Sequence, residues 1–122
     1  ENSGIENPPD IFRVNWFRMN AEGKFLWPGF GENLRALRWV IGRVHGELEA
    51  RETEIGFLPY TKDIDTTGIN VSTDVMDELL SVDRPAWVKA AENQREFFRQ
   101  FGERLPLELW DENRALDKRL VT

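Results

Sequence analysis

The sequence predicts an α+β chain in which short strands and an aromatic loop come first and helices form the C-terminal end. Three observations carry this. Residues 11–17, Ile-Phe-Arg-Val-Asn-Trp-Phe, are rich in β-branched and aromatic side chains, with Phe12, Val14 and Trp16 alternating with Arg13 and Asn15, as in a strand. Leu34, Leu37, Ile41, Val44 and Leu48 recur at spacings of three and four, one stripe of an amphipathic helix. Beyond Asp83 the punctuation is helical: Asp83 suits an N-cap, Pro85 a first turn and Pro106 the start of a second helix.

Taken in order, residues 1–10 read as a linker or truncated loop, because Gly4, Pro8 and Pro9 forbid regular structure, and 11–122 form the folded part. Residues 18–31 hold Gly23, Pro28, Gly29 and Gly31 among aromatics, a structured loop with a short hairpin turning near Glu22-Gly23. Gly46 loosens or ends the helix that follows, and Glu47, Glu49, Glu52 and Glu54 around Arg51 read as its solvated end and a connection. Residues 55–58 form a short strand closed by Pro59, and 60–71 are turns around Thr66-Thr67-Gly68. Ser72 or Thr73 caps a short helix through Leu80, with Asp74 favourably placed in its first turn. In the next helix Trp87, Ala90, Ala91, Phe98, Phe101 and Leu105 line one side. In the last, Leu109, Leu116 and Leu120 can pack while Arg114, Lys118 and Arg119 meet water.

Composition narrows the function. With 122 residues, 40% hydrophobic and 31% charged, the chain has the size and balance of one globular domain. A formal charge of −6 argues against nucleic acid, which needs a basic face. The absence of cysteine excludes disulfides, thiolate metal sites and thiol nucleophiles. Apolar runs fall far short of the roughly 20 residues that span a bilayer. His45 is the single histidine and reads as a surface helix residue. Asp63 and Asp65 lack the glycine and closing glutamate of a calcium loop. No Gly-Lys-Ser/Thr phosphate loop occurs.

The chemistry is concentrated in residues 11–33. A strand delivers Trp16 and Phe17, and the glycine-rich loop brings Phe25, Trp27 and Phe30 close by. Glycines at 29 and 31 allow close backbone approach, and a helix begins at once, so free N–H groups between Gly31 and Asn33 can donate. Aromatic faces, amide donors and the Asn33 side chain suit a flat, hydrogen-bonding heterocycle. On pattern alone the same cluster also fits a packed core, the commoner role of such aromatics.

The stretch Asn15-Trp16-Phe17-Arg18, followed by Gly23-Lys24-Phe25-Leu26-Trp27-Pro28-Gly29-Phe30-Gly31-Glu32-Asn33, resembles the guanine-binding segment of GTP-dependent phosphoenolpyruvate carboxykinases. The resemblance continues more loosely to the last helix. It implies that Phe17, Phe25 and Phe30 enclose a guanine ring, that Trp16 adjoins it, and that Asn33 hydrogen-bonds the base. The backbone through Gly31 and Glu32 would add contacts. It further implies the C-terminal part of the carboxykinase fold, with 11–122 as the guanine-binding part of a nucleotide-binding lobe. The parent would be a cytoplasmic lyase of gluconeogenesis, a decarboxylase turning oxaloacetate and GTP into phosphoenolpyruvate, GDP and carbon dioxide. Manganese and a nucleotide-bound magnesium are implied for that parent, with their ligands and every catalytic residue outside this chain. Its expected partners are guanine nucleotide and the rest of the carboxykinase chain, without nucleic acid or membrane, as a monomeric enzyme. Leu34 departs from the family pattern, where a small polar residue is usual, and Met19-Asn20 stands where charges are common. The alternative is a non-catalytic module whose aromatic loop binds a protein or peptide.

Overall fold

The computed structural model describes Gly4 and residues 6–122, so part of the linker reading for 1–10 lies outside the described residues. The chain forms two compact units, one of residues up to Ala50 with Pro59–Leu80, the other of Arg51–Leu58 with Ser81–Thr122.

In the first unit, the strand expected over 11–17 is not formed. Alternation makes a strand only where a neighbouring backbone supplies the ladder, and residues 11–15 have none among the described residues. Phe12 instead sets its ring edge-on to Trp39, with centroids 6.2 Å apart at 90°. The small hairpin does form, with Met19 bridging Phe25. Asn20, which stands where the family usually has a charge, organises it: its Oδ1 accepts the amides of Glu22 at 3.1 Å and Lys24 at 2.9 Å. Gly23 turns the chain at φ 76°.

Helix α1 (Asn33–Val44) stops before Leu48. Gly46 takes φ 71°, the Gly46 amide bonds Arg43 O, and the Glu47 amide bonds Gly42 O, the paired bonds of a Schellman cap. Leu48 then folds back over Gly42, where an added Cβ would lie 2.6 Å from Leu48 Cδ1. The expected apolar stripe is not the buried face. Leu34, Leu37, Ile41 and Val44 are exposed, whereas Trp39 and Gly42 are buried. The larger aromatic surface of Trp39 decides the matter, because it joins Trp27, Ile64, Val71 and Met76 in the core, with Val40 and Leu48 packed against them. Helix α2 (Thr73–Leu79) is capped by Ser72, whose Oγ accepts the Val75 amide at 3.3 Å.

The second unit opens with a hairpin, β1 (Arg51–Thr53) antiparallel to β2 (Gly56–Leu58), in the register Arg51 opposite Leu58. Only β2 was legible, because Arg51-Glu52-Thr53 has no apolar alternation. The solvated-connection reading is corrected by pairing, which Gly56 at φ 121° and a Thr53 hydroxyl donating to Gly56 O at 2.6 Å hold in place. Helix α3 (Arg84–Arg99) begins as expected, with Asp83 Oδ1 accepting the Ala86 amide at 3.1 Å and Pro85 in the first turn. Helix α4 (Leu107–Val121) follows Pro106 and packs on α3. Ala91, Phe98 and Leu120 are buried and Trp110 meets Phe98 edge-on at 5.4 Å, but Leu109 is exposed and does not pack as expected. Asn113, 2% exposed, donates to Ala91 O and Gln94 Oε1 and accepts from Arg95, so a fully bonded amide joins the two helices.

Candidate functional site

A cleft of about 430 Å³ opens in the first unit, lined by Trp16, Phe17, Phe25, Trp27, Pro28, Gly29, Phe30 and Asn33. The hairpin and the turn into α1 build it. Asn15 Oδ1 accepts the Phe17 amide at 3.0 Å, and the Leu26 amide donates to Arg18 O at 2.9 Å, so Phe17 and Phe25 meet edge-on with centroids 6.0 Å apart. Gly29 adopts φ 129°, a conformation side chains avoid, immediately before a 3-10 turn over Phe30–Glu32 that leads into α1.

The aromatics divide by burial. Trp27 is 7% exposed, sits in the core and tilts against the half-buried Trp16 at 6.2 Å. Phe17, Phe25 and Phe30 are 71%, 57% and 91% exposed. Three solvated phenylalanines around one recess are not core, since burying such rings is what a core is for. The tryptophans belong to the core and the phenylalanines stand clear of it.

Trp16, Phe17, Phe25, Phe30 and Asn33 are thus brought together, while Gly31 and Glu32 do not line the cleft. The amide donors expected near the helix start are partly spent: the Glu32 amide bonds Gly29 O at 3.1 Å, and the Asn33 amide bonds Phe30 O. The Glu32 carboxylate accepts from Arg35 Nε at 2.6 Å. Arg35 also donates to Asp65 O at 2.7 Å and Thr67 O at 3.0 Å, tying the start of α1 to the 65–67 turn. Hydrogen bonds from the Thr67 hydroxyl and amide, with Arg35 adding to them, hold the Asp65 carboxyl below its ordinary value of 3.8. Of the lining residues, Trp27 and Gly29 were expected beside the ligand without a direct contact role, and Pro28 was given none; all three lie inside the aromatic motif, which was the available signal. Trp27 Nε1 donates to Asn33 Oδ1 at 2.9 Å across the cleft wall.

A second recess, in the other unit, is lined by Arg51, Glu52, Thr53, Glu54, Lys118, Arg119 and Thr122. Its polar groups serve one another: Arg119 Nε donates to Glu54 O at 2.8 Å and Arg84 pairs with the Glu54 carboxylate. The Glu54 carboxyl is held below its ordinary 4.5 by its own backbone amide and by Arg84. His45 is exposed at the C-cap of α1, with Nδ1 3.9 Å from Glu47. Among the described residues no group of three His, Asp or Glu side chains could hold a cation, so these residues do not fit a manganese or magnesium site. No helix among them is long and apolar enough to cross a membrane.

Fold and cleft together define a small α+β chain with an open aromatic recess. Residues 1–119 match the family described as the phosphoenolpyruvate carboxykinase C-terminal P-loop domain. The chain is 48% identical over 116 residues to phosphoenolpyruvate carboxykinase (GTP) of Treponema pallidum strain Nichols, covering 94% of this chain and 19% of that protein. The namesake of Corynebacterium jeikeium is 40% identical over 119 residues, covering 98% and 20%, and that of Anaeromyxobacter dehalogenans strain 2CP-1 is 45% identical over 104 residues, covering 85% and 17%. The chain belongs to the GTP-dependent phosphoenolpyruvate carboxykinase family, to its C-terminal part. It spans about a fifth of the length of the curated relatives it matches.

Proposed function

We propose that this chain supplies the guanine-recognising wall of a carboxykinase that interconverts oxaloacetate and GTP with phosphoenolpyruvate, GDP and carbon dioxide. The observation that supports it is the cleft whose rim is three exposed phenylalanines and whose wall carries Asn33. Phe17, Phe25 and Phe30 enclose the purine, Trp16 backs it, and the Asn33 side chain meets its hydrogen-bonding edge. Gly31 and Glu32 contribute through the shape of the turn. Because the Glu32 and Asn33 amides are engaged within the 3-10 turn, backbone contacts from that turn fall to Phe30 and Gly31. Nucleotide phosphates, both metals and the reacting carboxylate are handled by the rest of the carboxykinase chain. The exposed Leu34, Leu37, Ile41 and Val44 stripe is consistent with more protein covering α1.

Tryptophan fluorescence tests this, because Trp16 and Trp27 line the cleft. Stacking alone is worth roughly 1–3 kcal/mol per base, so the chain by itself should bind GDP at about millimolar strength. A GDP-selective response that Phe30→Ala abolishes supports the reading. An equal response to ADP removes the base preference, and a response to a peptide but to neither nucleotide favours the protein-binding alternative. The chain alone should show no turnover with oxaloacetate and GTP.

A further inference from the structure

The hydrogen bond between Trp27 Nε1 and Asn33 Oδ1, 2.9 Å long, joins two residues that line the cleft. Its direction follows from chemistry. An indole nitrogen can only donate, so the amide atom facing it must be the oxygen. A side-chain amide with no such partner presents either end to a ligand after a half-turn of its last torsion. Asn33 is fixed: its oxygen is engaged by a ring that is itself 7% exposed and packed with Trp39, Ile64, Val71 and Met76. What remains for an occupant of the cleft is the NH2 end, a donor.

The bond could serve merely to satisfy a buried indole. Trp39 weighs against that: it lies in the same cluster and its Nε1 is buried with no hydrogen-bond partner among the described residues. This core tolerates an unsatisfied indole, so the Trp27 bond is not something packing demands.

We propose that Trp27 is a positioning residue for base choice, holding Asn33 as a donor so that the cleft favours a 6-oxopurine over a 6-aminopurine. The carbonyl of a 6-oxopurine accepts from the Asn33 NH2 group. The amino group of adenine at that place is a second donor, which forms no bond and leaves both groups desolvated. The inference rests on the base-pocket reading above and adds the residue that sets its selectivity.

The test uses the intact carboxykinase carrying this sequence and measures GDP, IDP and ADP affinities by calorimetry. IDP keeps the 6-oxo group and lacks the 2-amino group. Trp27→Phe keeps a ring in the core but removes the N–H. It should cut the GDP-to-ADP preference about tenfold, one hydrogen bond's worth, chiefly because the freed amide can turn its oxygen to adenine, so ADP binds more tightly while GDP and IDP weaken together by a smaller factor. Asn33→Asp keeps an acceptor for Trp27 and replaces the donor with an acceptor, so preference should move towards ADP. Equal losses for all three nucleotides in Trp27→Phe would show that Trp27 only packs and would overturn the proposal. A loss for GDP that IDP does not share would overturn it too, by placing the contact at the 2-amino edge. If Trp27→Phe does not fold, Asn33→Asp decides: undiminished GDP preference rejects the proposal. Wild-type protein that binds GDP and ADP equally would instead reject the base-pocket reading itself.

Discussion

Helices α1 and α3 dispose of their apolar residues in opposite ways. In α3 the buried residues of the expected stripe meet a partner, Ala91 and Phe98 being covered with Trp110 of α4 against Phe98, although Ala90 is exposed and Phe101 and Leu105 fall beyond the helix. In α1 the more regular stripe, Leu34, Leu37, Ile41 and Val44, faces solvent, while the less regular Trp39 and Gly42 are buried. An amphipathic pattern therefore reports a demand for cover without saying what supplies it. The partner of α3 follows it directly in sequence. This chain matches 19% of the length of its Treponema relative, and on our reading the cover for α1 belongs to the remainder.

The comparison can be broken first at its buried faces. Trp39→Ala should lower unfolding stability by about 3–5 kcal/mol, as should Phe98→Ala, measured by urea denaturation. A loss below about 1 kcal/mol for Trp39→Ala would mean that the buried face of α1 has been misassigned. Asn113→Leu removes an amide that serves Ala91 O, Gln94 and Arg95 and should cost about 2 kcal/mol by leaving those groups unpaired. Asp83→Ala, which deletes the cap of α3, should cost about 1 kcal/mol. On the exposed face, Ile41→Asp should change the stability of this chain by less than about 0.5 kcal/mol. The same substitution in the intact carboxykinase should be far more harmful if the remainder of the chain covers α1, and equally mild if it does not. The smallest effect is on acid stability. Asp65 has a folded pKa below its ordinary value of 3.8, so the native state binds that proton less readily than the unfolded chain. Its contribution is complete above the ordinary value and is lost as pH falls through the folded one. Asp65→Asn should flatten acid unfolding in that range, and an unchanged acid limb would contradict the bond from Thr67.

Legibility followed the range of the interactions. Caps and turns act within a few residues, so Ser72, Asp83, Pro85, Pro106 and the Glu22-Gly23 turn could be located from local chemistry alone. What depends on distant partners could not. The 11–17 segment has strand composition but no neighbour to pair with among the described residues, β1 has a neighbour but no strand composition, and the buried face of α1 was chosen by one tryptophan ring. The site shows the same division. The residues that line the cleft lay together in one specific motif, so resemblance pointed to most of them. Which amides the 3-10 turn consumes depends on backbone-to-backbone bonds, and which way Asn33 faces depends on a bond between two side chains, neither of which spacing encodes.

Residue-resolved NMR of the isotopically labelled chain with saturating GDP would test the central claim most directly. If the exposed phenylalanines hold the base, guanine H8 gives nuclear Overhauser contacts to the rings of Phe17, Phe25 and Phe30, and the Asn33 NH2 resonances shift. Contacts or shifts confined to the Arg51, Lys118 and Arg119 recess, with the phenylalanine rings silent, would contradict it.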